Sequence, residues 1–201
     1  MEVTLPALSV IASYLVGSIP TALIAARLAG RPDPRTVGTG NAGSTNVALT
    51  VGPAAGIAVL VIDLFKGVIA ALAGLTSGGP LTGDLCALAA VAGQIAPVFA
   101  GFRGGKGAAT TLGGYIGLWP ALAVLGLASY GIGLLTIRRF VIAAVTAMCA
   151  LAIVTLVLQQ HVVFGVGSAL LTLFAHRRDL AAWKRGEMPT IREALRDNQR
   201  R

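Results

Sequence analysis

Two short stretches carry most of the polar chemistry in an otherwise apolar chain: GTGNAGSTN at 38–46 and FRGGKG at 102–107. Closely spaced glycines let backbone N–H groups turn toward one anion, and a neighbouring Lys or Arg supplies the countercharge. In the first stretch Gly38, Gly40 and Gly43 alternate with Thr39, Asn41, Ser44, Thr45 and Asn46. Those hydroxyls and amides suit phosphate oxygens. In the second, Arg103 and Lys106 flank Gly104 and Gly105, just before the apolar run 108–118. If that run is helical, its N-terminus adds free N–H groups and a positive dipole. The pair of loops points to a phosphate or carboxylate handled at the membrane edge, with Lys106 as the leading contact. FRGGKG is not a Walker loop, because the first glycine is missing at the required spacing. Ala108 also stands where Ser or Thr would bind magnesium.

Further polar residues lie inside or beside apolar runs. In Gly17-Ser18-Ile19-Pro20, Ser18 is read as a packing residue able to satisfy a backbone group freed by Pro20, and as a secondary candidate for the site. Asp63 and Lys66 stand three apart on one predicted helix face, either as a structural ion pair or as part of the site. His176 and Asp179 are one helical turn apart, so Asp179 can orient or charge-stabilise the imidazole; a surface His beside a basic tail is the plainer alternative. His161 is given no role. Cys86 and Cys149 are isolated, so neither a disulfide framework nor a metal site is expected. No H-x-x-x-x-D element and no G-x-S-x-G elbow is present.

The elements that must position these residues are membrane helices. The 201 residues are 55% hydrophobic and 12% charged, with a mean hydropathy of +0.79. Soluble domains carry about 25% charged residues. Apolar runs able to cross a core of about 30 Å cover 5–28, 54–75, 81–101, 121–137, 141–158 and 162–175, with 108–118 as a shorter seventh. They are too long for barrel strands, so the expected fold is all-α and integral to the membrane, with about seven helices. With the N-terminus outside, the inner regions hold Arg27, Arg31, Arg35, Arg103, Lys106, Arg138, Arg139 and eight Lys/Arg after Ala175. That is fifteen of the sixteen positive residues. The turns at 76–80, 119–120 and 159–161 hold none, and this asymmetry puts both glycine-rich loops and the C-terminus on the cytoplasmic side. The net charge of +8 reads as orientation and contact with anionic membrane lipids, not nucleic-acid binding. The expected organisation is one helical membrane domain over 1–176 and a basic cytoplasmic tail over 177–201. Met1 and Glu2 lack the basic start of a signal peptide, so the first run is expected to be retained.

Assembled in order, these motifs resemble the bacterial acyl-phosphate-dependent glycerol-3-phosphate acyltransferases. The likeness runs from Gly17 to about Gly186. It rests on GSIP, on the 38–46 loop (close to the family's GSGNxGATN), on Asp63-Leu64-Phe65-Lys66-Gly67, and on Pro97-Val98-Phe99 followed by FRGGKGAAT. The resemblance implies a seven-helix enzyme of the bacterial inner membrane with an extracytoplasmic N-terminus. It implies acyl transfer from acyl-phosphate to the 1-hydroxyl of glycerol 3-phosphate, giving lysophosphatidic acid for phospholipid synthesis. No cofactor is implied, and neither coenzyme A nor acyl carrier protein serves as direct donor. By the same resemblance the first loop holds the donor phosphate, Lys106 neutralises phosphate charge, and His176 lines the acceptor side. The chain departs from the family pattern at Leu49, where an Arg is common, and at Gln94, where G-H-x-x-P usually places His. It departs again at Ile142 through Val145, where serines are usual, and at Asp179, where Asn is usual. The retained donor loop and altered acceptor groups also admit an acyl-phosphate-using transferase with another acceptor. A non-catalytic relative, transporter or scaffold, is the remaining alternative.

Overall fold

The computed structural model describes residues 4–187. Every described element is helical, and the chain packs as two units, Met1–Pro120 and one beginning at Ala121. Four helical stretches among the described residues are long and apolar enough to cross a membrane: Thr4–Leu28, Pro53–Ala100, Pro120–Ile137 and Phe140–Leu158.

The first stretch is not one continuous helix, as the run 5–28 suggested. It divides into α1 (Thr4–Gly17) and α2 (Thr21–Leu28). Pro20 has no N–H to continue the ladder, and the chain turns through Ser18 and Ile19, whose amides bond back to Tyr14, Leu15 and Val16. After a loop comes the short α3 (Ser44–Thr50). Next, α4 (Pro53–Ile95) is interrupted by non-helical backbone at Gly78 and Gly79, directly before Pro80. Twenty-eight residues of straight helix would span about 42 Å. The Lys66 ammonium nevertheless sits 2.7 Å from the Gln94 side chain, so α4 is a hairpin whose two arms lie side by side. Glycine makes that approach possible. A Cβ on Gly83 would lie 2.9 Å from Leu75, and one on Gly74 would lie 2.7 Å from Gly83 Cα. A 3-10 turn (Val98–Ala100) leads to α5 (Ala108–Leu118), which packs on α4. Small residues again set the spacing, with Gly67 against Gly114 and Gly113 against Leu64. Close backbone contact of this kind replaces the hydrophobic effect as a source of attraction in lipid.

The second unit contains α6 (Pro120–Ile137), α7 (Phe140–Leu158), α8 (Val162–Ala175) and α9 (Arg177–Lys184). α7 and α8 pack on each other, and α9 touches both. The tail expected from 177 thus begins as a helix, and the remainder of that tail, 188–201, lies outside the described residues.

Candidate functional site

The two glycine-rich loops of the first unit meet. Arg35 ties them together: its guanidinium donates to the carbonyl oxygens of Ala100 at 3.0 Å and Arg103 at 3.2 Å. The same guanidinium grips both carboxylate oxygens of Asp33, the closest contact being 2.6 Å. That hydrogen bonding holds the Asp33 carboxyl below the usual carboxylate range. Backbone contact adds to the join, since a Cβ on Gly105 would lie 2.6 Å from the Ala42 carbonyl oxygen. In the sequence Arg35 stands out only as a charge that sets orientation. Its signal was local, an Asp and an Arg two apart, each preceded by a proline, in Pro32-Asp33-Pro34-Arg35.

Inside the first loop Asn46 is the organiser rather than a ligand donor. It is 1% exposed, and its Nδ2 serves the carbonyls of Pro34 at 2.6 Å, Asn41 at 3.0 Å and Val37 at 3.1 Å. Its Oδ1 accepts the Thr39 N–H at 2.8 Å. Gly38 follows the path this side chain imposes, with φ +59. Not every amide of the loop is open to an anion. The Thr39 N–H is spent on Asn46, and the Gly40 N–H on the Val37 carbonyl. In the second loop the Gly104 and Gly105 amides go to the carbonyls of Ile95 and Gln94. These are acceptors that the end of α4 leaves unpaired. The amides of Asn41 and Gly43 carry no such bond among the described residues. The Thr39 and Thr45 side chains are exposed, whereas Ser44 and Lys106 are half-buried. Lys106 lies two residues before α5, behind Gly107 at φ +75.

Between α2 and these loops opens a cleft lined by residues 19–23, Ala42, Gln94, Pro97, Ala100 and 103–105. It presents the exposed Arg103 as a cation, and the start of α2 lines its other wall. Ser18 stands at the break beside it with no exposure, and its hydroxyl has no hydrogen-bond partner among the described residues. The proposed repair of the Pro20 gap by Ser18 is therefore not made.

Beneath the cleft lies a buried polar cluster. Asp63 and Lys66 are each 3% exposed and pair at 2.8 Å. The three donors of the ammonium are matched by Asp63 Oδ1, the Ile19 carbonyl at 2.6 Å and Gln94 Oε1 at 2.7 Å. Asp63 in turn accepts from the Thr21 hydroxyl and, at 2.8 Å, from Gln94 Nε2. Every strong group in the cluster is satisfied, which is what allows an ion pair to persist away from water. Gln94 appeared in the sequence only as a departure from a motif. Its partners are 28 and 31 residues away, a separation no local spacing rule reaches.

His176 and Asp179 belong to the second unit. His176 joins α8 to α9 and is 4% exposed. Its Nδ1 lies 2.9 Å from the Thr172 carbonyl oxygen. A carbonyl only accepts, so Nδ1 carries the hydrogen of this bond. Asp179 sits in the first turn of α9, where a carboxylate complements the helix dipole. Leu49 is exposed on α3, and Ile142 and Val145 are buried in α7.

Comparison with known proteins places this geometry in context. The glycerol-3-phosphate acyltransferase family matches residues 7–186. A glycerol-3-phosphate acyltransferase of Thioalkalivibrio sulfidiphilus is 39% identical over 186 residues, covering 90% of this chain and 92% of the relative. One from Jannaschia is 38% identical over 190 residues, covering 92% of each. Among solved structures, the glycerol 3-phosphate form of PlsY (YgiH), an integral membrane glycerol 3-phosphate acyltransferase, superposes with a TM-score of 0.85. It is 34% identical, over 92% of this chain and 94% of that one. The lysophosphatidic acid form of the same protein gives 0.84 at 32% identity, over 94% and 98%.

Proposed function

This chain belongs to the family of bacterial acyl-phosphate-dependent glycerol-3-phosphate acyltransferases, and from that membership we propose how its own residues carry the reaction. It is a multi-pass protein of the bacterial inner membrane that moves an acyl chain from acyl-phosphate to glycerol 3-phosphate, giving lysophosphatidic acid. The acceptor hydroxyl attacks the acyl carbonyl carbon, an ester C–O bond forms, and the bond from that carbon to the bridging anhydride oxygen breaks, the oxygen staying on phosphorus. Inorganic phosphate leaves, and as a base near neutrality it can carry the hydroxyl proton away. The donor is already activated, so positioning and charge stabilisation suffice without a covalent enzyme intermediate.

The observation that carries the residue assignment is the locking of the two glycine-rich loops at one cleft that presents Arg103. Lys106 and Arg103 neutralise phosphate charge. Thr39, Ser44 and Thr45 offer hydroxyls, and Asn41 and Gly43 offer amides. Asn46, Gly38, Gly40, Gly104 and Gly105 shape the loops that present them. Seven crossings, with the N-terminus outside and the C-terminus cytoplasmic, fit this scheme. The hairpin of α4 supplies two of them, and the positive charges favour that orientation.

The test is reconstitution. Purified protein in nanodiscs receives acyl-phosphate and glycerol 3-phosphate, with the acyl-coenzyme A thioester as control donor. Lysophosphatidic acid and stoichiometric phosphate should appear from acyl-phosphate alone. Phosphate release without an acylated glycerol 3-phosphate would defeat the reading.

A further inference from the structure

We infer that Gln94 is a positioning residue, coupling the buried Asp63–Lys66 pair to the loop that carries Lys106. The inference rests on the acyltransferase reading above and concerns how its phosphate-binding loop is held. Gln94 lies in the last turn of α4 and works in two directions. Its side-chain amide accepts from Lys66 at 2.7 Å and donates to Asp63 at 2.8 Å. Its carbonyl accepts the Gly105 N–H at 3.0 Å, and the next carbonyl, of Ile95, accepts the Gly104 N–H at 3.1 Å. The residue immediately after these two amides is Lys106. The last turn of a helix is where fraying begins, because its carbonyls have no partners within the helix. Here the turn is fixed from below by a saturated, buried ion pair, and it fixes from above the backbone of the loop. Lys66 and Asp63 also grip the Ile19 carbonyl and the Thr21 hydroxyl. The opposite wall of the cleft is therefore referenced to the same pair.

The cluster sets a chemical requirement at position 94. One planar group must present an acceptor to an ammonium and a donor to a carboxylate. A primary amide does this at every pH, because it does not titrate. A neutral imidazole can also do it, but an imidazolium has two donors and no acceptor. An aliphatic side chain does neither. The charged or titratable groups around position 94 are Asp63 and Lys66 on the other arm of α4, Arg103 lining the same cleft, and Tyr14, whose hydroxyl bonds the Ala96 carbonyl.

Two variants test this, measured in the reconstituted assay beside wild type. Gln94→Leu keeps the main-chain carbonyl but frees the last turn, so the competent loop arrangement is populated less often. Apparent KM should rise about tenfold or more, because affinity scales with the competent fraction, while kcat at saturation changes by less than about threefold. A role confined to helix packing would instead remove folded enzyme, lowering apparent kcat with KM unchanged. Gln94→His should recover much of the loss above the imidazole pKa of about 6.5 and lose it again below. The ratio of its kcat/KM to that of wild type then falls by up to about tenfold per pH unit on the acid side, and taking the ratio cancels ionisation of the substrates. A wild-type KM in Gln94→Leu, or a flat ratio for Gln94→His between about pH 5.5 and about pH 8, overturns the positioning role while transfer by wild type stands. Absence of transfer in wild type itself would overturn the acyltransferase reading, and this inference with it.

Discussion

Replacing Arg35 with Met removes the guanidinium that joins the two glycine-rich loops while keeping most of the side chain's apolar stem. The guanidinium donates to the carbonyls of Ala100 and Arg103, and its side chain is 24% exposed. Hydrogen bonds from charged donors contribute about 1.5–3 kcal/mol each in buried settings. Partial exposure at the loop surface screens them, so about 2 kcal/mol for the pair of bonds is a fair magnitude. At 1.4 kcal/mol per factor of ten, this is a loss of about 30-fold in the locked arrangement. The Gly104 and Gly105 amide bonds to α4 remain, so the loss appears as weakened substrate capture rather than unfolding. Steady-state kinetics should show kcat/KM reduced by up to that factor, mostly through KM, with helix content unchanged. Arg35→Lys should fall between, since one ammonium cannot fork across Asp33 and still reach both carbonyls. The acid dependence of the clasp follows from Asp33. Its carboxyl is held below the usual range, so the contribution of the pair is fully present above that range and is lost only as pH falls through the depressed value. Hydrogen exchange over 31–46, corrected for intrinsic rates, should therefore stay flat from about pH 8 down to about pH 5. An Arg35→Met enzyme with kcat/KM within twofold of wild type would refute the account of loop locking.

Other perturbations separate the loop contacts. Gly105→Ala sets a Cβ 2.6 Å from the Ala42 carbonyl oxygen, whereas at Gly40 the nearest atom would be 3.8 Å away and only the φ of +70 opposes a side chain. Gly105→Ala should therefore lower kcat/KM more than Gly40→Ala, and the reverse order would remove the contact between the loops from the argument. Asn46→Asp keeps the acceptor for Thr39 but loses the two N–H donors shared among three carbonyls and sets a charge against those carbonyls. A loss of about 2–4 kcal/mol is expected, read as a lower Tm by intrinsic fluorescence, and a Tm equal to wild type would show that Asn46 does not organise the loop. Lys106→Ala should lower kcat/KM by about tenfold or more, since a charge-assisted phosphate contact contributes about 1.5–3 kcal/mol. Unchanged phosphate-release kinetics would take Lys106 out of the site.

The helices were legible because lipid imposes a simple rule of long apolar runs with polar residues gathered at their ends. The runs 54–75 and 81–101 flank the Gly78–Gly79 break, and the run 108–118 coincides with α5. The break at Ser18 to Pro20 was signalled by its proline yet lay inside a run whose hydropathy is continuous. The two glycine-rich loops were visible as compositional anomalies, but what each amide does was not. Thr39 and Gly40 look like donors in the sequence, but the Thr39 amide is taken by buried Asn46 and the Gly40 amide by the Val37 carbonyl. Asp63 and Lys66 were readable as partners, since helical spacing is local. Gln94 and Arg35 were not, because each acts on groups 28 to 68 residues away, brought near by a hairpin and a loop crossing.

The hairpin of α4 also shapes how the protein is made. Its first arm carries Asp63 and Lys66, and such residues each oppose membrane insertion by about 2.5–3.5 kcal/mol at the centre of a lone helix. Pairing within the arm relieves part of this, but the ammonium's third acceptor and the carboxylate's third donor arrive only with Gln94, 28 residues after Lys66. During synthesis the nascent arm thus carries unmet polar demand until the second arm has emerged and turned at Gly78 and Gly79. The insertion machinery must handle Pro53–Ile95 as one cargo, and a ribosome stalled within the second arm leaves a segment poorly suited to remain in lipid.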